Sequence, residues 1–128
     1  MPPKPFTLTL GMVPDLKNLG GNARINPIRK NTVFQGEKIE WYTEIRAAYA
    51  GNLPTYKHLK LSVECIFKDK RKRDLDNATI ALKALGDTLV NLKMIPDDNS
   101  AHLTWDLTIT VDPKRAPRTI LTCEEAKP

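Results

Sequence analysis

Alternating apolar and polar residues along the chain predict four β-strands. Residues from Phe6 to Leu10 alternate with period two, which is the pattern of a strand buried on one face. The same alternation runs from His58 to Phe67 and from His102 to Val111, and the stretch from Arg118 to Cys123 predicts a short fourth strand. The apolar residues of the second strand that are expected to share its buried face are Leu59, Leu61, Val63, Cys65 and Phe67.

Apolar residues that recur every three or four positions predict two helices. The first is expected from Gly36 to Ala50, with an apolar stripe that consists of Ile39, Tyr42, Ile45 and Tyr49. The second is expected from Leu75 to about Met94, with a stripe that consists of Leu75, Ala78, Leu82, Leu85 and Leu89. Residues 11–29, before the first helix, are rich in Gly, Pro and Asn and are expected to form a loop.

The order of these elements predicts the class of fold. The sequence contains no internal repeat and no linker long enough to divide it. We therefore expect residues 1–128 to form one small α+β domain, in which two helices pack on a mixed or antiparallel sheet. The ends of the chain, residues 1–5 and 124–128, are expected to be frayed. Because the predicted core is small, a homodimer could extend it.

Composition excludes several classes of protein. Apolar residues make up 41% of the 128 residues and charged residues 27%, which is ordinary for a globular domain. Cys65 and Cys123 lie far apart without a C-x-x-C pattern, which argues against a disulfide framework and a zinc ribbon. No apolar run approaches the ~18 residues of a membrane span, and residues 1–5 lead into no apolar secretory segment. We therefore expect a cytoplasmic protein with no membrane contact.

A run of basic residues follows the second predicted strand. Five of the six positions from Lys68 to Arg73 are Lys or Arg, and the formal net charge of the chain is +5. Such a run is compatible with a polyanionic partner such as nucleic acid. It is equally compatible with a solvated loop, and the residues that follow it bear on the choice.

Carboxylates follow the basic run at the start of the second predicted helix. Asp74 and Asp76 are one residue apart, so they can converge on one cation before the helix becomes regular. Aspartate is also a preferred helix-capping residue, so the pair has a structural interpretation as well. Asp76, Lys83 and Asp87 then recur on one helical face, which is also the pattern of an ordinary solvated face.

Two further carboxylates, Asp97 and Asp98, lie in the turn that is expected after this helix. Hard oxygen ligands next to a cation are what Mg²⁺-dependent phosphodiester chemistry requires. Carboxylates hold the ion, the ion polarises the phosphate and activates a water, and a lysine steadies the developing negative charge. The neighbouring basic run would offset the repulsion between these acids and DNA.

Three segments of the chain closely resemble the RusA family of Holliday junction resolvases. They are Lys70-Arg-Lys-Arg-Asp-Leu-Asp-Asn77, Leu82-Lys-Ala-Leu-Gly-Asp-Thr-Leu89 and Ile95-Pro-Asp-Asp98. The similarity spans about Phe67 to His102 and extends loosely to the N-terminal strand and the Asn- and Pro-containing loop after it. Members of that family are Mg²⁺-dependent endonucleases of phage and prophage origin, and they act as homodimers on four-way DNA junctions.

The resemblance implies roles for particular residues. The catalytic and metal-binding aspartates would be Asp74, Asp76 and Asp98, with Asp97 alongside. The catalytic lysine would be Lys83, although the best-known member carries its lysine four residues after the second aspartate, where this chain has Ile80. The residues expected to contact backbone phosphates, with little base information, are Lys70, Arg71, Lys72 and Arg73.

Three functions remain open from the sequence. The first is a Mg²⁺-dependent endonuclease that resolves four-way junctions by paired symmetric nicks, in recombination, repair or phage DNA processing. The second is a branched-DNA-binding protein without catalysis, although carboxylates beside a pure phosphate-binding patch argue against it. The third is a structural protein in which the acids are only helix caps and surface charge.

Overall fold

The computed structural model describes residues 3–21 and 23–126, which form one four-stranded mixed sheet covered by helices. The strands are β1 (Phe6–Leu10), β2 (Leu59–Phe67), β3 (Leu103–Val111) and β4 (Arg118–Glu125). Their order in the sheet is β1-β4-β2-β3. β2 and β3 run parallel, whereas β4 is antiparallel to both β1 and β2. The predicted α+β class with a mixed sheet is therefore confirmed.

Four helical segments accompany the sheet in the described part of the chain. They are α1 (Leu16–Leu19), α2 (Pro27–Ala48), α3 (Leu75–Ala81) and α4 (Lys83–Asn91). α3 and α4 lie in the crossover between β2 and β3, because parallel neighbours cannot be joined by a tight turn. α2 packs against α4 and against β1. Within the described residues, no helix has both the length and the apolar character needed to cross a membrane.

The strands match the predicted alternation closely. All five residues predicted to share one face of β2 are buried, and the alternate residues Thr119, Leu121 and Cys123 of β4 are buried with them. The prediction of frayed ends is wrong at Glu124 and Glu125. These two residues extend β4 because they pair with the first two residues of β2. Residues 3–5 have no regular secondary structure, and residues 1, 2, 127 and 128 lie outside the described part.

α2 begins nine residues before the predicted start at Gly36. Asn26 caps the helix, since its Oδ1 accepts a hydrogen bond of 3.0 Å from the backbone N–H of Arg29. Pro27 occupies the first helical position, where its missing N–H costs nothing. The prediction of a loop through residue 29 is therefore wrong at its C-terminal end, where this Asn-Pro pair starts a helix.

The buried face of α2 also differs from the predicted stripe. Glu37, Trp41 and Ile45 are its buried residues, at spacings of four. Ile39 and Tyr42, which were predicted to be buried, are 67% and 42% exposed. A search for apolar periodicity misses this face because one of its three buried positions is a glutamate.

The second predicted helix is divided at Leu82, which ends α3 and precedes α4. The N–H of Leu82 lies within hydrogen-bonding distance of the carbonyl oxygens of both Ala78 and Thr79. The second of these bonds spans three residues, as in a 3₁₀ turn, so the helix is wound more tightly at this point. The predicted stripe is confirmed at its last four positions. It is wrong at Leu75, which is 53% exposed, because the helix begins at that residue and only later reaches the core.

Two carboxylates of α2, the buried Glu37 and the half-buried Glu44, hold the segment that follows β1. The backbone N–H of Asp15 donates to Oε1 of Glu37 at 2.6 Å, and the N–H of Gly11 donates to Oε1 of Glu44. Between them, the carbonyl oxygen of Met12 accepts from the Thr119 hydroxyl at 2.6 Å. Burial raises the pKa of Glu37 to about 7, although the Asp15 N–H favours the charged form. Residues 11–15 are thus fixed against the helix and the sheet.

Replacing Glu37 by Gln is expected to remove a pH dependence of stability. A carboxyl with a raised pKa in the folded state binds its proton more tightly there, so wild-type stability should fall as pH rises from about 4.5 to about 7. Above pH 7 the buried charge should cost up to about 3 kcal/mol, which the variant would recover. Urea unfolding at pH 5, 6, 7 and 8 measures this difference.

The matched control is Glu40→Gln, an exposed residue one turn further along α2. It should change the pH profile of wild type only slightly, because the charge of Glu40 is one of the smaller causes of the raised pKa of Glu37. If Glu37→Gln and Glu40→Gln gave the same profile, the buried carboxyl would not be the group that titrates.

Candidate nucleic-acid interface and active site

The basic segment, residues 68–73, leaves the end of β2 as a folded loop. The guanidinium of Arg73 stacks on Phe67, with its carbon 3.8 Å from the ring centroid. Its Nη2 donates to the Asp69 carboxylate at 2.8 Å, and its Nη1 donates to the carbonyl oxygens of Asp69 and Arg71. Arg73 therefore organises the loop, and its side chain is only 10% exposed.

Asp69 accepts hydrogen bonds within the same folded loop. Its Oδ1 accepts from the backbone N–H of Arg71 at 3.0 Å, and this bond, followed by the contact with Arg73, lowers the pKa of Asp69. The acid of the basic segment is thus neutralised locally by Arg73. Lys70, Arg71 and Lys72 remain exposed on the surface, where they present positive charge to solvent.

Asp74 and Asp76 lie at the start of α3, and both are exposed. Asp74 caps the helix, since its Oδ1 accepts a hydrogen bond of 2.9 Å from the backbone N–H of Asp76. The structural interpretation of this aspartate is therefore confirmed. It does not exclude a ligand role, because a carboxylate carries two oxygens and the cap occupies Oδ1.

Asp98 lies beside α4 rather than beside Asp74. Its Oδ2 is 4.0 Å from Nζ of Lys83, and its side chain packs against Gly86, where an added Cβ would be 3.1 Å from the same oxygen. Burial raises the pKa of Asp98, Lys83 opposes this, and the nearby carboxylates of Asp87 and Asp97 reinforce it. The structure thus brings the predicted Lys83 and Asp98 together.

Two neighbours complete this group. Asp97 shapes the turn, because its Oδ1 accepts from the backbone N–H of Asp98 at 2.8 Å and its Oδ2 accepts from Asn99 at 3.1 Å. Asp87 lies 3.9 Å from Nζ of Lys38 on α2. Lys38 of α2 and Lys83 of α4 therefore flank the neighbouring carboxylates of Asp87 and Asp98.

The four predicted metal ligands form two separate pairs. Asp74 and Asp76 lie at the start of α3, whereas Asp97 and Asp98 lie beside α4. Within residues 3–21 and 23–126, no group of three or more His, Cys, Asp or Glu side chains is arranged to hold a metal ion. Mg²⁺ commonly takes one or two carboxylates and completes its shell with waters and substrate phosphate. The exposed pair Asp74 and Asp76 fits that chemistry by its donor atoms.

The short helix α1 forms a wall of a cleft opposite the basic segment, and the sequence did not predict this helix. The short helix α1 lies within the expected loop, and Asp15 caps it: Oδ1 accepts from the Asn18 backbone N–H at 3.0 Å and Oδ2 from the Asn18 side chain at 2.8 Å. Between α1 and the basic segment lies an open cleft of about 520 Å³. Its polar lining includes Asp15, Lys17, Arg71, Lys72, Asp74 and Asn77. The Asp15–Asn18 capping pattern was the available sequence signal.

Two consecutive glycines let this wall approach α3. A Cβ added to Gly20 would lie 2.4 Å and 2.6 Å from the side-chain amide atoms of Asn77, and 2.6 Å from the Leu16 carbonyl oxygen. A Cβ added to Gly21 would lie 2.6 Å from Cδ1 of Ile80. Close packing thus requires glycine at position 20, where a Cβ would also meet the backbone, whereas at position 21 the end of the Ile80 side chain could move aside.

Comparison with known proteins adds no relative. A scan against protein-family models finds no match, and a search of curated proteins finds no significant match. The similarity to the RusA family therefore rests on the three segments quoted above.

Replacing Gly20 by Ala is expected to destabilise the protein by about 1–3 kcal/mol, because the methyl group would overpack the contact between α1 and Asn77. Gly36→Ala is the matched control. Gly36 lies inside α2 with open space around it, so alanine there should stabilise by about 0.5–1 kcal/mol. Urea unfolding of both variants measures the two signs, and equal effects would contradict the assigned contact.

Proposed function

We propose that this chain is a Mg²⁺-dependent, structure-selective DNA endonuclease of the RusA type, which resolves four-way junctions by paired symmetric nicks. The observation that carries the proposal is the continuity of two exposed groups on one surface. Three exposed cations, Lys70, Arg71 and Lys72, lead directly into the exposed carboxylates Asp74 and Asp76. Phosphate-binding charge and hard oxygen ligands thus stand next to each other, as phosphodiester hydrolysis requires.

The proposed function gives the acids and Lys83 different roles. Asp74 and Asp76 would hold Mg²⁺, with waters and substrate phosphate completing its shell. Asp98 and Asp97, to which the family resemblance also gives a metal-binding role, would act from beside Lys83. When bound, the ion supplies Lewis acidity and neutralises charge on the phosphate. Lys83, whose ammonium group is 4.0 Å from Asp98, would steady the negative charge that develops on the phosphate oxygens.

The basic segment would position the strand. Lys70, Arg71 and Lys72 would contact backbone phosphates, which gives salt-sensitive affinity with little dependence on base sequence. Arg73 would act with them mainly by keeping the loop folded on Phe67 and Asp69, so that the other cations face the DNA. We place the protein in the cytoplasm of a bacterial or phage-infected cell, acting in recombination, repair or phage DNA processing.

Replacing Asp76 by Asn is expected to reduce junction cleavage on the order of 100-fold or more, because the amide removes a charged ligand. The measurement compares a four-way DNA junction with linear duplex of matching sequence, in Mg²⁺ and in EDTA. Wild type should make paired nicks near the crossover in Mg²⁺ and none in EDTA. Asp106→Asn, an exposed aspartate on β3, is the matched control and should cut like wild type.

Two results would contradict this assignment. Full cleavage by Asp76→Asn would remove Asp76 from the site. Tight junction binding by wild type without cutting would instead favour a branched-DNA-binding protein without catalysis.

Symmetric cutting of two opposing strands in one encounter requires two active sites, so we propose that the protein acts as a homodimer. Sedimentation equilibrium at micromolar concentration should therefore give twice the mass of the chain. A monomer that remains monomeric on junction DNA would contradict the dimer and predict independent single nicks.

A further inference from the structure

Lys17 is an exposed cation on the wall of the cleft that faces the basic segment. It lies on α1, within the segment after the first strand to which the resemblance extends only loosely, and the resemblance assigns it no role. Across the cleft stand Arg71 and Lys72, which are more than fifty positions later in the chain. The fold therefore places cations on both sides of one open channel that also reaches Asp74.

The exposed cations of this cleft, Lys17, Arg71 and Lys72, outnumber its two acids, Asp15 and Asp74. Both oxygens of Asp15 accept hydrogen bonds from Asn18, so this carboxylate is engaged in capping α1. Oδ1 of Asp74 is engaged in capping α3. The three cations, in contrast, line the open cleft from exposed positions.

The position of Lys17 is fixed by packing on both sides of α1. Before the helix, the backbone N–H of Asp15 is bound to the buried Glu37. After the helix, Gly20 lies directly against Asn77 of α3. A four-residue helix would not be stable in isolation, and these contacts hold it at a set distance from the basic segment.

We propose that Lys17, Arg71 and Lys72 form a two-sided cleft that binds the phosphate backbone of the DNA strand next to Asp74. This rests on the proposed function. Lys17 belongs to the binding surface and takes no part in bond cleavage. Its contribution is an additional phosphate contact, so it should affect the affinity for DNA and the dependence of that affinity on salt.

The test measures binding of a fluorescent four-way junction in EDTA, between 50 and 200 mM salt, so that no cleavage occurs. Lys17→Gln should bind several-fold more weakly than wild type, and its plot of log affinity against log salt should be less steep by about 1. Lys17→Arg should restore both values. Because Lys17 is exposed, the variants should keep the circular dichroism of wild type.

The matched control is Lys57→Gln, which changes the net charge by the same amount. Lys57 is exposed and precedes β2, whereas the basic segment follows it, so the two lie on the order of 25 Å apart along the strand. It should bind like wild type. Equal behaviour of Lys17→Gln and Lys57→Gln, with wild type still binding, would overturn the cleft and leave the proposed function standing. Absence of junction binding by wild type would overturn both.

Discussion

Because β2 and β3 run parallel, the chain between them must travel back along the whole sheet before it can re-enter. That crossover contains the basic segment, α3, α4 and the turn that follows, and therefore every site residue inferred from the sequence. The parallel pairing also explains why the acids stand in two pairs. Asp74 and Asp76 lie where the crossover leaves β2, and the helices then carry the chain away from them, so that Asp98 meets α4 at Lys83 and Gly86.

Some charged side chains of the crossover form ion pairs, and the others remain exposed. Arg73 neutralises Asp69 inside the loop, which leaves the remaining cations exposed. Further along, Lys83 partly offsets the burial that raises the pKa of Asp98. The surface that faces solvent is thus basic at the loop and acidic at the start of α3. On the proposed function, a polyanion would match the basic loop and a divalent cation would match the acidic start of α3. Either ligand alone would leave the other part of the surface without a partner of opposite charge.

A structural feature could be predicted when the residues that form it lie close together in the sequence, and was missed when they lie far apart. Strands were recognised because the alternation is local, and β2 and β4 bury the predicted faces. The candidate site residues could be proposed from the sequence because they lie in three short segments of the chain. The α1 wall was missed because what holds it comes from elsewhere: Glu37 binds the Asp15 amide from 22 residues away, and Gly20 packs against Asn77. Neither contact has a periodic signature in the sequence.

The buried face of α2 shows how one such contact changes the packing of a whole helix. Residues 11–15 leave β1 without strand partners, and their backbone N–H groups need acceptors when they are covered. Glu37 supplies one by facing the core, although an apolar stripe through Ile39 and Tyr42 was available on the same helix. Turning Glu37 inward turns those two residues outward, since they lie two and five positions further along a helix with 100° per residue. The exposed apolar residues of α2 and the fixed position of α1 thus both follow from the inward face of α2 that carries Glu37, Trp41 and Ile45.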